Sequence, residues 1–106
     1  MSNSSAVMGW DVGGAHLKAV LADAQGVAIE AFQICCPLWR GLHELEKAVD
    51  QILSHIDDMP DQHAITMTGE LVDLFANRHE GVVGIAELMQ RKLNGNLYFY
   101  AGQQGF

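Results

Sequence analysis

Ala6–Val12 is a short apolar run that stops at Gly13-Gly14, the pattern of a central β-strand. His16–Ala22 alternates around Leu17, Ala19 and Leu21 and ends at the turn Asp23-Ala24-Gln25-Gly26. Val27–Ile34 resumes as a third strand and closes near Cys35-Cys36-Pro37. Tight connections between the three predict an antiparallel meander. The period then changes. From Gly41 to His55, apolar residues recur at steps of three and four (Leu42, Leu45, Val49, Ile52, Leu53, and Ile56 just beyond), which predicts an amphipathic helix. Asp57-Asp58-Met59-Pro60-Asp61 stops it. His63–Thr68 reads as a fourth strand and Leu71–Phe75 as a helical turn. Gly81–Leu93 reads as a second long helix ending at Asn94-Gly95-Asn96, and Leu97–Ala101 as a fifth strand.

The order β-β-β-α-β-α-β predicts a mixed five-stranded sheet of order 3-2-1-4-5, with a meander of strands 1–3 and helices on its faces. This α/β arrangement is ribonuclease-H-like and resembles the building block of the actin and sugar-kinase superfamily. Strands 1 and 4 are then neighbours. The turn after Asp11 and the turn Thr68-Gly69-Glu70 fall at one edge, where open α/β sheets bind ligands. Residues 6–106 are expected to form one lobe, and the polar residues 1–5 a frayed, disordered tail.

Composition narrows the partners. At 106 residues the chain is one domain, and 49% apolar content is enough to fold it. A formal net charge of −7 with no basic run argues against nucleic acid and anionic membranes. No apolar stretch is long enough for a bilayer, and the start lacks the basic and apolar regions of a secretory signal. A cytoplasmic location is expected. Cys35 and Cys36 are adjacent, offer no disulfide framework, and read as strand-end residues in a reducing compartment.

The chemistry concentrates at the first turn. Asp11, at the end of a strand, can hold Mg²⁺, usually through water. Gly13 and Gly14 admit backbone dihedrals closed to other residues and allow a ligand close approach, and such turns can point N–H groups at an anion. Lys18 can neutralise a phosphate. Asp11, Gly13, Gly14 and Lys18 resemble the superfamily's first phosphate motif, Asp-x-Gly-Gly-Thr/Ser-x-x-Lys. Ala15 stands where many members carry a hydroxyl, a departure from simple ATP phosphoryl transfer. In the second turn Glu70 can hold a metal through water, act as a base or orient a substrate, or merely complement a helix dipole. Thr68 caps the following turn or joins Gly69 at the phosphate. Arg78 and His79 read as a solvated loop. No pair among His16, His43, His55, His63 and His79 has metal-ligand spacing. Trp10 reads as core, Trp39 as surface packing before the helix, and the methionines as gap-fillers.

Gly9–Lys18, together with Thr68-Gly69-Glu70-Leu71 and Asn77-Arg78-His79-Glu80-Gly81-Val82, resembles the hydantoinase-A/oxoprolinase-like family. Within it the likeness is to the tetrahydromethanopterin-linked C1-transfer pathway proteins, whose Gly-Gly-Ala variant this chain shares. The resemblance implies a transferase that joins a furan-methyl unit to a tyramine-derived acceptor in methanofuran biosynthesis and expels phosphate or diphosphate. Asp11 would then anchor Mg²⁺, and Glu70 would assist the acceptor amine. The ligand would be a small-molecule phosphate ester. Family members are longer, so the chain is expected to be an N-terminal lobe, inactive without its second lobe or a partner chain and prone to self-association. Two other classes stay open. One is a ribonuclease-H-like nuclease using Asp11 and Glu70. The other is a non-catalytic interaction module completed by a partner.

Overall fold

A computed structural model describes residues 6–67 and 78–101 of the chain. The elements run β1 (Val7–Val12), β2 (His16–Ala22), β3 (Ala28–Cys35), a 3-10 turn (Leu38–Arg40), α1 (Leu42–Leu53), β4 (Gln62–Met67), α2 (Arg78–Lys92) and β5 (Asn96–Ala101). The expected tail, the helical turn over Leu71–Phe75 and the Thr68-Gly69-Glu70 turn lie outside the described residues.

The five strands form one sheet of order β3-β2-β1-β4-β5. β1–β2 and β2–β3 pair antiparallel, whereas β1–β4 and β4–β5 pair parallel. This is the ribonuclease-H-like topology expected from the sequence. Both crossovers step the same way across the sheet, so with the usual right hand both helices lie on one side.

Alternation along the strands decides which side. Met8, Trp10 and Val12 of β1, Leu17, Ala19 and Leu21 of β2, and Ile65 and Met67 of β4 are buried in one cluster. Leu45, Ala48, Val49 and Ile52 of α1 and Ile85, Leu88 and Met89 of α2 join the same cluster. Alternate strand residues turn to the other face, where Val7, Val20, Ile29, Tyr98 and Tyr100 are exposed. Trp10 and the methionines Met8, Met67 and Met89 take the core positions expected of them.

Turn residues fix the connections. Asp23 Oδ1 accepts from the N–H groups of Gln25 and Val27, each at 2.9 Å, and Gly26 supplies a φ of +81°. Gly95 has a φ of +103°, and a Cβ there would sit 2.2 Å from the Asp61 carbonyl oxygen. The backbone passes that close because Asn96 N–H donates to the same carbonyl at 2.7 Å, tying the start of β5 to the loop before β4. Two details depart from the sequence reading. Arg78 and His79 begin α2 rather than a loop. The positive φ values among the described residues fall at Gly26, Gly41 and Gly95, not at Gly13-Gly14. The glycine pair therefore does not occupy the left-handed region.

Candidate functional site

The carboxyl ends of β1, β3, β4 and β5 share one edge of the sheet. Here Val12 leads into the turn Gly13–Ala15, which returns into β2 through a Gly13 N–H···O=C His16 bond of 3.1 Å. That bond engages the Gly13 amide. Among the described residues the N–H groups of Gly14 and Ala15 have no acceptor. The carbonyls of the same two residues are committed elsewhere. Ala15 accepts from Cys36 N–H at 2.8 Å, and Gly14 from Leu38 N–H at 3.1 Å. The turn is thus fixed to the segment that follows β3.

Register assembles the side chains. Asp11 stands opposite Lys18 on β2 and opposite Thr66 on β4, and Tyr100 on β5 lies beyond Thr66. The four form a row across the open face. Thr66 Oγ1 donates to Asp11 Oδ1 at 3.1 Å and lies 3.3 Å from the Trp10 carbonyl oxygen. This fixes one carboxylate oxygen and leaves the other without a hydrogen bond among the described residues. Behind the row lies a depression of about 250 Å³ lined by Gly9, Asp11, Lys18, Val20, Ala64 and Thr66. Its floor is apolar, and its charged end is the Asp11–Lys18 pair.

The structure therefore brings together Asp11, Gly13, Gly14 and Lys18. Thr68, Gly69 and Glu70 lie outside the described residues. They follow directly on Met67, which pairs with Val12 at the end of β1. Thr66 is a site residue that the sequence reading missed. Its signal was parallel register: with β1 beside β4, the residue two before Thr68 falls opposite Asp11. Among the described residues no three His, Cys, Asp or Glu side chains cluster to hold a metal. One free carboxylate oxygen still suits Mg²⁺, which commonly binds through one or two carboxylates, water and substrate phosphates.

Other titratable groups belong to the framework. Trp10 Nε1–H donates to His63 Nδ1 at 3.1 Å inside the helix-covered face, which assigns the neutral imidazole proton to Nε2. Burial pushes His63 below its ordinary value, while the Asn94 and Pro60 backbone and the Asp61 charge pull the other way. Its Nε2 is buried without a partner in hydrogen-bond geometry. Burial, with Glu44 and Cys35 nearby, pushes the Cys36 thiol up to about 11, so this cysteine is unsuited to be a nucleophile. Cys35 and Cys36 are both free thiols.

Comparison with known proteins agrees with the fold. No family model matches the chain. A curated relative from Methanocaldococcus jannaschii, (4-{4-[2-(gamma-L-glutamylamino)ethyl]phenoxymethyl}furan-2-yl)methanamine synthase, is 30% identical over 94 residues. The match covers 89% of this chain, which spans 27% of that relative's length. An exopolyphosphatase from Cytophaga hutchinsonii superposes with a TM-score of 0.61 at 12% identity, over 92% of this chain and 34% of that one. The Ppx/GppA family member from Aquifex aeolicus gives a TM-score of 0.57 at 11% identity, over 93% of this chain and 36% of that one. A ROK family transcriptional regulator, a homologue of the E. coli MLC protein, gives 0.57 at 13%, over 91% of this chain and 27% of that one. The chain thus shares its fold with part of each of these larger proteins and has a remote homologue among named synthases.

Proposed function

We propose that this chain is the phosphate-binding lobe of a transferase of the hydantoinase-A-like, tetrahydromethanopterin-linked branch, acting on a furan-methyl phosphate or diphosphate. The observation that carries the reading is the row Lys18–Asp11–Thr66 beside two unpaired turn amides, at the carboxyl ends of parallel strands. The relative's product name contains a phenoxymethyl link between a phenol and a furan. For a related reaction the acceptor atom is a phenol oxygen, not the amine inferred from sequence alone.

The step balances simply. The phenol oxygen forms a bond to the furan methylene carbon as that carbon's bond to the phosphate oxygen breaks. The electron pair leaves with the phosphate, and the phenol proton passes to a base. Glu70, which follows β4 in the sequence and lies outside the described residues, is the proposed base. Lys18 and the Gly14 and Ala15 amides take up the charge that develops on the leaving group. Asp11, oriented by Thr66, would hold Mg²⁺, which neutralises leaving-group charge when bound.

Calorimetric titration of the chain with pyrophosphate in Mg²⁺ tests this reading. Saturable binding that falls at least about tenfold in Lys18→Gln, the loss of roughly 1.4 kcal/mol, supports it. Equal binding by the variant contradicts it. A second reading, a module completed by a partner chain, is favoured by the exposed apolar face bearing Val7, Val20, Ile29, Tyr98 and Tyr100. A mass independent of concentration and unchanged by any added chain would count against that.

A further inference from the structure

Among the described residues two basic side chains stand outside every ion pair. Among the described residues Lys47 is engaged by Glu44, Arg91 by Glu46, and Lys92 by Asp50 and Glu46. Lys18 and Arg40 have no carboxylate within ion-pair distance. In a chain of formal net charge −7, carboxylates are abundant, yet these two cations make no ion-pair contact. Both belong to the carboxyl edge of the sheet.

Backbone bonds hold Arg40 there. The 3-10 turn Leu38–Arg40 is closed by Arg40 N–H to the Pro37 carbonyl and Gly41 N–H to the Leu38 carbonyl, each at 2.9 Å. It is docked on the phosphate turn by the Cys36–Ala15 and Leu38–Gly14 bonds, and Leu38 is buried beneath it. Between Leu38 and Arg40 stands Trp39. It is 62% exposed, more than any other large apolar side chain among the described residues. The Arg40 guanidinium carbon lies 4.8 Å from the Trp39 ring centroid, within cation–π range. An exposed indole that covers no core is therefore tied, one residue away, to the turn whose amides are free.

We propose that Trp39 and Arg40 form a ring-and-anion subsite for an aromatic phosphate or diphosphate ester. The indole stacks on the ester's aromatic ring with the face that Arg40 leaves open. The guanidinium donates two N–H groups to the phosphate, a geometry that lysine cannot reproduce. Lys18 and the Gly14 and Ala15 amides hold the same anion from the other side. This rests on the phosphate-binding reading of the glycine turn. It adds a selectivity: the site prefers an anion that carries a ring over a bare one.

The test is calorimetric titration of the full chain with two probes, benzyl phosphate and inorganic pyrophosphate. Trp39→Ala is expected to weaken benzyl phosphate about tenfold and to leave pyrophosphate within about twofold. Arg40→Gln is expected to weaken both. Trp39→Leu, which keeps apolar bulk without a ring, should behave like Trp39→Ala, and it serves if the alanine variant loses its far-ultraviolet dichroism. If these variants bind both probes as the unaltered chain does, while Lys18→Gln loses them, the subsite is wrong and the phosphate turn stands. An equal loss of both probes in Trp39→Ala overturns the ring preference. If the unaltered chain binds neither probe, the subsite and the phosphate reading fall together.

Discussion

The two faces of the sheet are written by alternate residues of the same strands, yet they behave as different materials. On one face Met8, Trp10, Leu17, Ile65 and Met67 meet α1 and α2 in a closed apolar cluster. That face contains a single buried polar side chain, His63, among the described residues. On the other, Asp11, Lys18 and Thr66 stand in a row beside Val20 and Ala64, with no described element covering them. The first face makes the fold, and the second carries what the fold presents. Neither is wholly true to type. The covered face holds a titratable imidazole, and the open face is apolar around its charged pair.

The comparison can be broken most sharply by truncation in the core. Ile65→Ala, on the covered face, is expected to cost about 2–5 kcal/mol in chemical denaturation, because it deletes buried carbon and leaves a cavity. A cost below about 1 kcal/mol would mean that the helices do not pack as described.

His63 gives the next largest effect. Its folded value lies below its unfolded one, so the unfolded chain binds the extra proton first. Stability is then full above about pH 6.5 and falls as pH drops from there through the folded value, by at most about 1.4 kcal/mol per pH unit. Protonation also turns Nδ1 into a donor facing the Trp10 N–H, which breaks that bond. In His63→Leu the part of the slope owed to this residue should vanish. Urea midpoints measured at several pH values would show it, and an unchanged slope would remove His63 from the account.

On the open face the effects should fall on ligand rather than on fold. Thr66→Val loses the bond to Asp11 and is expected to cost about 0.5–1.5 kcal/mol of anion binding, with Thr66→Ser close to the unaltered chain. Equal binding by all three would show that Thr66 does not position Asp11. Smallest of all, Val20→Thr should change stability by no more than about 0.5 kcal/mol, since Val20 is already 37% exposed. A large loss there would mean that something covers this face.

Much of the fold was legible because its signals are periodic. The alternation of His16–Ala22 gave β2 with its boundaries, and the three-four spacing from Gly41 to His55 gave α1, which spans Leu42–Leu53. With the order of elements, the connection rules then left β1 beside β4 and so placed Asp11 in the crevice. Side-chain partnerships were not legible in the same way. Thr66 meets Asp11 only through parallel register between residues 55 positions apart, and His63 meets Trp10 across 53. The start of α2 was missed because Arg78-His79-Glu80 carries no apolar stripe. The glycine pair was read as admitting unusual dihedrals, whereas the Gly13 amide closes the hairpin and the Gly14 and Ala15 carbonyls accept from Leu38 and Cys36. That docking also explains why Trp39 stands beside the site, which no local pattern announces.

The central claim is that the glycine turn and the Asp11–Lys18 pair bind a phosphate group, and amide NMR tests it most directly. Pyrophosphate and Mg²⁺ would be titrated into the ¹⁵N-labelled chain while every backbone N–H is followed. The account predicts saturable shifts centred on Gly14, Ala15 and Lys18, weaker ones at Thr66, and none on α1 or α2. Shifts confined to the helices, or no saturable shift at the turn, would contradict it.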